Sequence, residues 1–342
     1  MTHASAVGGR PPASLIEELC PLGGSARAVQ ADGAGVRAAC WAGERFLCAL
    51  PDGDRSTLWL WAALDEPPVC CGRIDGTVGA LVAAPDGQQV VAVARLRDGV
   101  GAIDLLDVES GDLRRWVEGR ERWQLAVEEA GPVWSPDGRA LALGARRREE
   151  QGGWTTLVRR VPSAERDAEL CPDGGALPYQ WRPEGLWLRQ AVETPTPRYR
   201  YFGWAPRSGE VVTVEPAGIL SPDGRYWLEL EGARLTVTDH LGTRTIPAAS
   251  TELARELDRL GNLPPACPGS REPEWLGGHV LVVGDGAGLA LDLGRLAVQP
   301  FLPEEAGILA RWPSPGGRHA VVALGGAAPR LLWGERQAPG VD

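Results

Sequence analysis

Val133-Trp134-Ser135-Pro136-Asp137-Gly138-Arg139 and Ile219-Leu220-Ser221-Pro222-Asp223-Gly224-Arg225 are two copies of one phrase, and Ala83-Ala84-Pro85-Asp86-Gly87 is a third. Each ends a short apolar run in Pro-Asp-Gly. Pro presets φ, the Asp carboxylate accepts nearby backbone N–H groups, and Gly takes positive φ, so the phrase is a tight turn joining two antiparallel strands. Weaker copies follow at Trp181-Arg182-Pro183-Glu184-Gly185 and at Trp312-Pro313-Ser314-Pro315-Gly316-Gly317. Two more keep only an aromatic residue and the turn glycine: Trp41-Ala42-Gly43-Glu44 and Trp275-Leu276-Gly277-Gly278.

Working outward, the residue that ends the first strand of each unit is Trp41, Ala83, Trp134, Trp181, Leu220, Trp275 or Trp312. Successive marks lie 37 to 55 residues apart and average about 45, the period of a propeller blade. Within a unit the phrase joins strands a and b, and a second hairpin supplies c and d. Examples of that second hairpin are Ala102–Asp107 with Leu113–Val117 and Tyr199–Trp204 with Val211–Val214. The seventh unit has a, b and c but no fourth strand, while Ser25–Gln30, upstream of the first unit, is strand-like and unassigned. The prediction is an all-β, seven-bladed β-propeller of four-stranded blades, with the last blade closed by that N-terminal strand, because closure removes an open sheet edge. The domain reading is an N-terminal tail over 1–24, a propeller over 25–334 with a helical insertion near 248–262, and a C-terminal tail over 335–342.

The repeated Trp-Ser-Pro-Asp-Gly-Arg, followed by an apolar strand, resembles the WD-repeat-like propellers of the TolB type, a repeat shared with the propeller domains of prolyl oligopeptidases. The resemblance runs from about Ser25 to Trp333 and implies the fold. The G-x-S-x-G nucleophile motif of those peptidases does not occur here, so their hydrolase activity is not implied.

Composition excludes several chemistries. All 35 basic residues are Arg, which removes Lys-dependent P-loops, protein kinases, Schiff-base enzymes and Ser-x-x-Lys acylases. A net charge of -10 opposes nucleic-acid binding, which draws its affinity from cations at phosphates. No apolar run suits a membrane span and no signal-like start is visible, so the expected setting is the cytoplasm without membrane insertion. The seven Cys contain no C-x-x-C pair and are expected to be reduced and mostly buried. Adjacent Cys70 and Cys71 raise the alternative of a strained vicinal disulfide, which the alternation of side chains along a strand opposes.

The aromatic marks are expected to pack between neighbouring blades. His3, His240, His279 and His319 are too scattered for a metal site, and Asp52-Gly53-Asp54 lacks the following Glu of a calcium loop. With no nucleophile–base pair visible, no catalytic residue, metal or cofactor is assigned. The long connections, Glu118–Glu129, Arg146–Gly153, Val192–Pro197 and Pro247–Arg271, all fall on the b-to-c and d-to-a face, and the last carries a predicted helix over Thr251–Leu260. Such loops carry binding on a rigid scaffold or drift as tolerated surface. The binding reading selects Arg122, Trp123, Arg146, Arg147 and Arg148 as the partner-facing residues, with guanidinium forks for carboxylates and one aromatic anchor. The expected function is a non-catalytic cytoplasmic propeller that binds a protein partner; the alternative is an enzyme or small-molecule sensor using the central channel.

Overall fold

The computed structural model describes residues 14–18, 38–119, 123–126, 131–147, 153–192, 198–214, 219–221, 226–231, 234–239, 242–247, 274–276, 280–283, 289–293, 297–300, 308–314, 319–324 and 330–335, less six positions inside those spans (65, 67, 164, 173, 174 and 183). These residues hold strands and turns and no helix; the predicted helix over 251–260 lies outside them.

In chain order, β1 (Ser14–Glu18) is followed by the first sheet, β2 (Ala38–Ala42), β3 (Arg45–Asp52), β4 (Arg55–Trp61) and β5 (Val69–Asp75). The second sheet comprises β6 (Thr77–Ala83), β7 (Gln89–Arg95), β8 (Gly101–Asp107) and β9 (Leu113–Glu118). The third comprises β10 (Trp123–Leu125), β11 (Val133–Trp134), β12 (Ala140–Arg147), β13 (Thr155–Arg160) and β14 (Arg166–Leu170). The fourth comprises β15 (Leu177–Arg182), β16 (Gly185–Val192), β17 (Arg198–Trp204) and β18 (Val211–Val214). The fifth is β19 (Ile219–Leu220), β20 (Trp227–Glu231), β21 (Arg234–Asp239) and β22 (Gly242–Pro247), and the sixth β23 (Glu274–Leu276), β24 (Val280–Val283), β25 (Leu289–Asp292) and β26 (Ala297–Pro300). The last is β27 (Ile308–Pro313), β28 (His319–Leu324) and β29 (Arg330–Glu335), with β1 as its fourth strand.

Seven antiparallel meanders thus occupy the described residues. β2 touches both β6 and β27, and β11 touches β15, so first strands of neighbouring sheets lie against one another.

Two sequence expectations need correction. The strand that completes the last sheet is Ser14–Glu18, inside the segment assigned to the tail, and it pairs antiparallel with β29 from Ser14↔Glu335 to Glu18↔Leu332. Ser25–Gln30 lies outside the described residues. The apolar pair Leu15-Ile16 has the β-propensity that an alanine-rich segment such as Ser25–Gln30 lacks. The second correction concerns Glu118–Glu129, read as a connection. Its Trp123–Leu125 portion is a strand that pairs with the far end of β12, so the inner strand of the third sheet is split into β10 and β11.

The turn phrase works through its serine. Ser135 Oγ donates to Asp137 Oδ1 at 2.6 Å and accepts the Ala140 N–H at 2.9 Å, while Asp137 also accepts the Arg139 N–H at 3.1 Å. These donors hold the Asp137 carboxyl below its ordinary range, the Ser135 hydroxyl first among them. The fifth sheet repeats the latch, with the Tyr226 N–H donating to Ser221 Oγ at 3.0 Å. Gly87 shows why the turn ends in glycine: its φ is +69°, and a Cβ there would stand 2.4 Å from the Gly43 nitrogen of the neighbouring sheet.

The turn fixes the register, and the register places the repeated Trp. The indole N–H of Trp134 donates to Val82 O at 3.1 Å, and that of Trp181 donates to Val133 O at 3.0 Å. Each bond runs from one inner strand to the inner strand before it. Val82 and Val133 occupy the same repeat position, one residue before the mark. Within its own sheet, the Trp41 ring lies 5.4 Å from the Phe46 ring, tilted at 59° to it.

The core lies between sheets. One cluster joins Leu47 and Leu58 of the first sheet to Val90 and Leu106 of the second, the next joins Val91 and Leu105 to Leu141 and Leu157, and a third joins Val158 to Leu186 and Leu188. Each of these side chains adds about 1.5–3 kcal/mol on burial. A buried hydroxyl ties the connections between sheets in the same way twice: Ser56 Oγ donates to Gly76 O at 3.0 Å, and Thr156 Oγ1 donates to Ala176 O at 2.9 Å.

Two outcomes follow from these contacts. Thr156→Val keeps the volume but strands the Ala176 carbonyl, and chemical denaturation is expected to show a loss of about 1–3 kcal/mol. Deleting residues 1–18 exposes one edge of β29 and should lower the melting temperature of the whole domain; a truncated chain that melts like the intact one would show that β1 does not close the structure.

Candidate functional site

The third sheet gathers an unusual set of side chains at the end where β10 begins and β12 finishes. Trp123 pairs with Arg147, Gln124 with Arg146, and Leu125 with Ala145. Directly opposed residues share a face and adjacent residues take opposite faces, so the two arginines fork to either side of the sheet. On one side the Arg147 guanidinium lies 5.5 Å from the Trp123 ring centre and donates to Glu169 Oε1 at 3.0 Å. Glu169 also accepts Arg166 at 2.6 Å. On the other side Arg146 lies 5.0 Å from the Trp154 ring centre, and its Nε donates to Gln124 Oε1 at 2.9 Å. Both arginines are exposed, and the two Trp rings are half-buried.

β10 is the terminal strand of its sheet. Trp123, Arg146 and Arg147 are therefore brought together where β10 meets the end of β12. Arg122 and Arg148 lie outside the described residues. Sequence reading missed Gln124, Trp154, Arg166 and Glu169; the alternation of Trp123-Gln124-Leu125 against Ala145-Arg146-Arg147 was the available signal for the first of them.

The band continues into the fourth sheet. Leu177, at the start of β15, packs with Ala126 and Trp154. Two residues on, Tyr179 lies 5.1 Å below the Arg189 guanidinium and 5.5 Å from the Tyr201 ring, and Arg182 stacks 3.4 Å from the Trp187 ring centre. Arg182 and Arg189 are buried, at 5% and 3% exposure. Burial lowers the Arg182 pKa, and Glu184 partly restores it. Along β17, Arg200 is exposed and the next residue, Tyr201, packs against Tyr179.

Elsewhere the ionisable groups are structural. Asp52 and Asp54 flank a hairpin turn and pair with Arg73 and Arg97 respectively. Asp104, on β8, is buried; its Oδ1 accepts Arg115 Nε at 2.8 Å, while its Oδ2 has no partner. Burial raises the Asp104 pKa, against the lowering effect of Arg115, and Asp75 adds to the rise. β8 is the third strand of its sheet, and Asp104 faces Arg115 on β9. Among the described residues no three His, Cys, Asp or Glu side chains gather to hold a metal ion.

No family model matches the chain, and no curated protein matches it in sequence. Solved structures do. The β-propeller domain of the Trilobed protease from Pyrococcus furiosus superposes with a TM-score of 0.60 at 13% identity, covering 89% of this chain and 96% of that one. The fold is a β-propeller. An oligogalacturonate lyase in complex with manganese gives a TM-score of 0.58 at 13% identity, covering 89% of each chain. TolB from Acinetobacter baumannii gives 0.44 at 14% identity, over 86% of this chain and 64% of that one. The resemblance of the repeat to propeller proteins holds at the level of the fold, on the likeness to the Pyrococcus furiosus propeller domain. The protease domain is described as having an open velcro topology, whereas here β1 pairs with β29 across the two chain ends.

The comparison corrects the functional expectation. A non-catalytic scaffold was expected because no nucleophile–base pair or metal constellation is visible in the sequence, but two propellers similar to this one belong to a protease and a lyase. The fold therefore gives no ground for excluding catalysis, and the scaffold reading does not stand.

A pH test separates the structural role of Asp104 from a catalytic one. Its folded-state pKa is raised, so protonation stabilises the fold, and that contribution disappears as pH rises from the ordinary carboxylate value of 3.8 through the higher folded value. Asp104→Asn should therefore gain stability relative to the wild type across that window and match it below, as read by melting curves from acid to neutral pH.

Proposed function

We propose that the seven blades close into one ring and that the mouth of its central channel, beside β10, takes a carboxylate-bearing small molecule as substrate or sensed ligand. The observation that carries this reading is Arg146. Its guanidinium is exposed and is held by the neutral Gln124 amide and the Trp154 ring, so its positive charge is oriented without being cancelled. An oriented guanidinium recognises a carboxylate through two parallel N–H donors, and a neighbouring ring offers a stacking face to whatever carries that carboxylate. Arg147 stands on the other side of the same strand beside Trp123, where Glu169 pairs with it. The chain as a whole is acidic, with a net charge of -10, so a local cationic and aromatic patch is a departure that favours an anionic ligand at this point.

The reading is tested by titrating the protein with mono- and dicarboxylates and with galacturonate oligomers, chosen because a structure of similar fold belongs to an oligogalacturonate lyase. Calorimetry and tryptophan fluorescence are expected to show saturable, salt-sensitive binding. Arg146→Gln should weaken it about tenfold, as loss of one charge-assisted hydrogen bond does, with an unchanged melting curve. Absence of binding across the carboxylate panel, or equal affinity in the wild type and in an Arg146→Gln, Arg147→Gln double variant, rules out this site.

A further inference from the structure

Outside the channel mouth, the chemistry least explained by folding is the pair Cys70-Cys71. Both residues lie on β5, the outermost strand of the first blade, whose outer edge has no strand partner among the described residues. Cys70 is exposed and Cys71 half-buried, and neighbouring Val69 is 63% exposed. The cysteines were expected to be mostly buried; Cys48 is, but Cys70 and Cys171 are not.

A regular strand would aim the two thiols at opposite faces. This strand is not regular there. Leu58 pairs with Gly72 and Trp59 with Cys70, so Cys71 is an extra residue in a β-bulge, the device that breaks alternation and re-aims side chains. Each sulfur leans along the chain past the other cysteine, Cys70 Sγ to 4.0 Å from Gly72 O and Cys71 Sγ to 3.8 Å from Val69 O. Burial raises the Cys71 thiol, and Cys70 contributes to the rise, so the two groups sense one another. The following glycine is held in place: a Cβ on Gly72 would come within 2.6 Å of Leu113 Cδ2 on the next blade.

The chemistry of an adjacent pair selects what it can hold. Consecutive Cα atoms stand about 3.8 Å apart, short of the roughly 4.4–6.8 Å that an unstrained disulfide spans. A thiophilic atom between the sulfurs, with bonds of about 2.3 Å to each, as zinc–thiolate bonds have, lengthens the bridge and relieves that strain. Two thiols leave a tetrahedral metal half-ligated, and no third His, Cys, Asp or Glu joins them among the described residues. The pair suits a centre that needs two sulfurs and brings its own third substituent.

We propose that Cys70 and Cys71 form a vicinal dithiol site on the outer edge of the first blade that chelates trivalent arsenicals. With an arsine oxide, two As–S bonds form and the As=O bond is lost. The two thiol protons leave with that oxygen as water, and no oxidation state changes. Cys40 and Cys48 are unsuited to this reaction, since burial pushes both thiols up, that of Cys40 to about 12. Cys171 is exposed but has no adjacent cysteine.

Titration of the full chain with phenylarsine oxide under reducing conditions, followed by native mass spectrometry, tests the proposal. A single arsenical adduct per chain should survive excess mercaptoethanol and be stripped by dimercaptopropanol. Cys70→Ser or Cys71→Ser should weaken the adduct about 10²-fold, because the second bond of a chelate forms at high effective concentration; Cys171→Ser should leave it unchanged. If either serine variant melts early, the contrast between monothiol and dithiol on the wild-type chain still decides. An adduct equally stable in both serine variants, or the absence of any dithiol-selective adduct on the wild type, overturns the site.

Discussion

The indole N–H that reaches from one inner strand to the carbonyl of the strand before it sets the geometry on which the other contacts depend. Blades of a propeller pack face to face through apolar side chains, and apolar contact alone fixes neither the height nor the rotation of one sheet against the next. A directional bond at an equivalent carbonyl in successive blades does both. It needs a side chain long enough to leave its own sheet, apolar enough to remain in the interface and carrying a donor, which the Trp indole supplies. The bond also depends on the turn. Ser135 and Asp137 close the hairpin in one register, and that register aims Trp134 at Val82.

The same logic of register explains where β10 meets the end of β12. β12 is longer than its turn requires, and its last two residues extend past the core to meet the separate short strand β10. Strand alternation then separates Arg146 from Arg147, so one basic pair serves two interfaces, toward the second blade and toward the fourth. Their partners differ in charge. Glu169 neutralises Arg147, whereas an amide and a ring hold Arg146, and this asymmetry distinguishes an ion-paired surface from a site prepared for an anion.

Buried charge elsewhere follows a different rule. Asp104 and Arg115 face each other across β8 and β9, and the desolvation of the carboxylate outweighs its partner, so the pair adds orientation more than stability. Arg182 and Arg189 are accommodated against aromatic faces, which tolerate a guanidinium plane better than an ammonium and suit a chain that has no lysine.

Turn chemistry and periodicity are local properties, and for that reason the Pro-Asp-Gly phrases, the spacing near 45 residues and the packing role of Trp134 and Trp181 could be read directly from the residues. Trp123, Arg146 and Arg147 were also legible, as exposed cations beside an aromatic residue. Long-range pairing was not. Nothing local shows that Ser14–Glu18 and not Ser25–Gln30 meets β29, or that Gln124 and Trp154 orient Arg146, since both depend on segments far apart in the chain meeting in one register. The bulge at Cys71 is the sharpest case. The sequence shows two adjacent cysteines on a strand and argues that they diverge; whether they do is decided by one extra residue in the pairing of β4 with β5, because a sheet side chain takes its direction from its hydrogen-bonded partner strand and not from its own sequence.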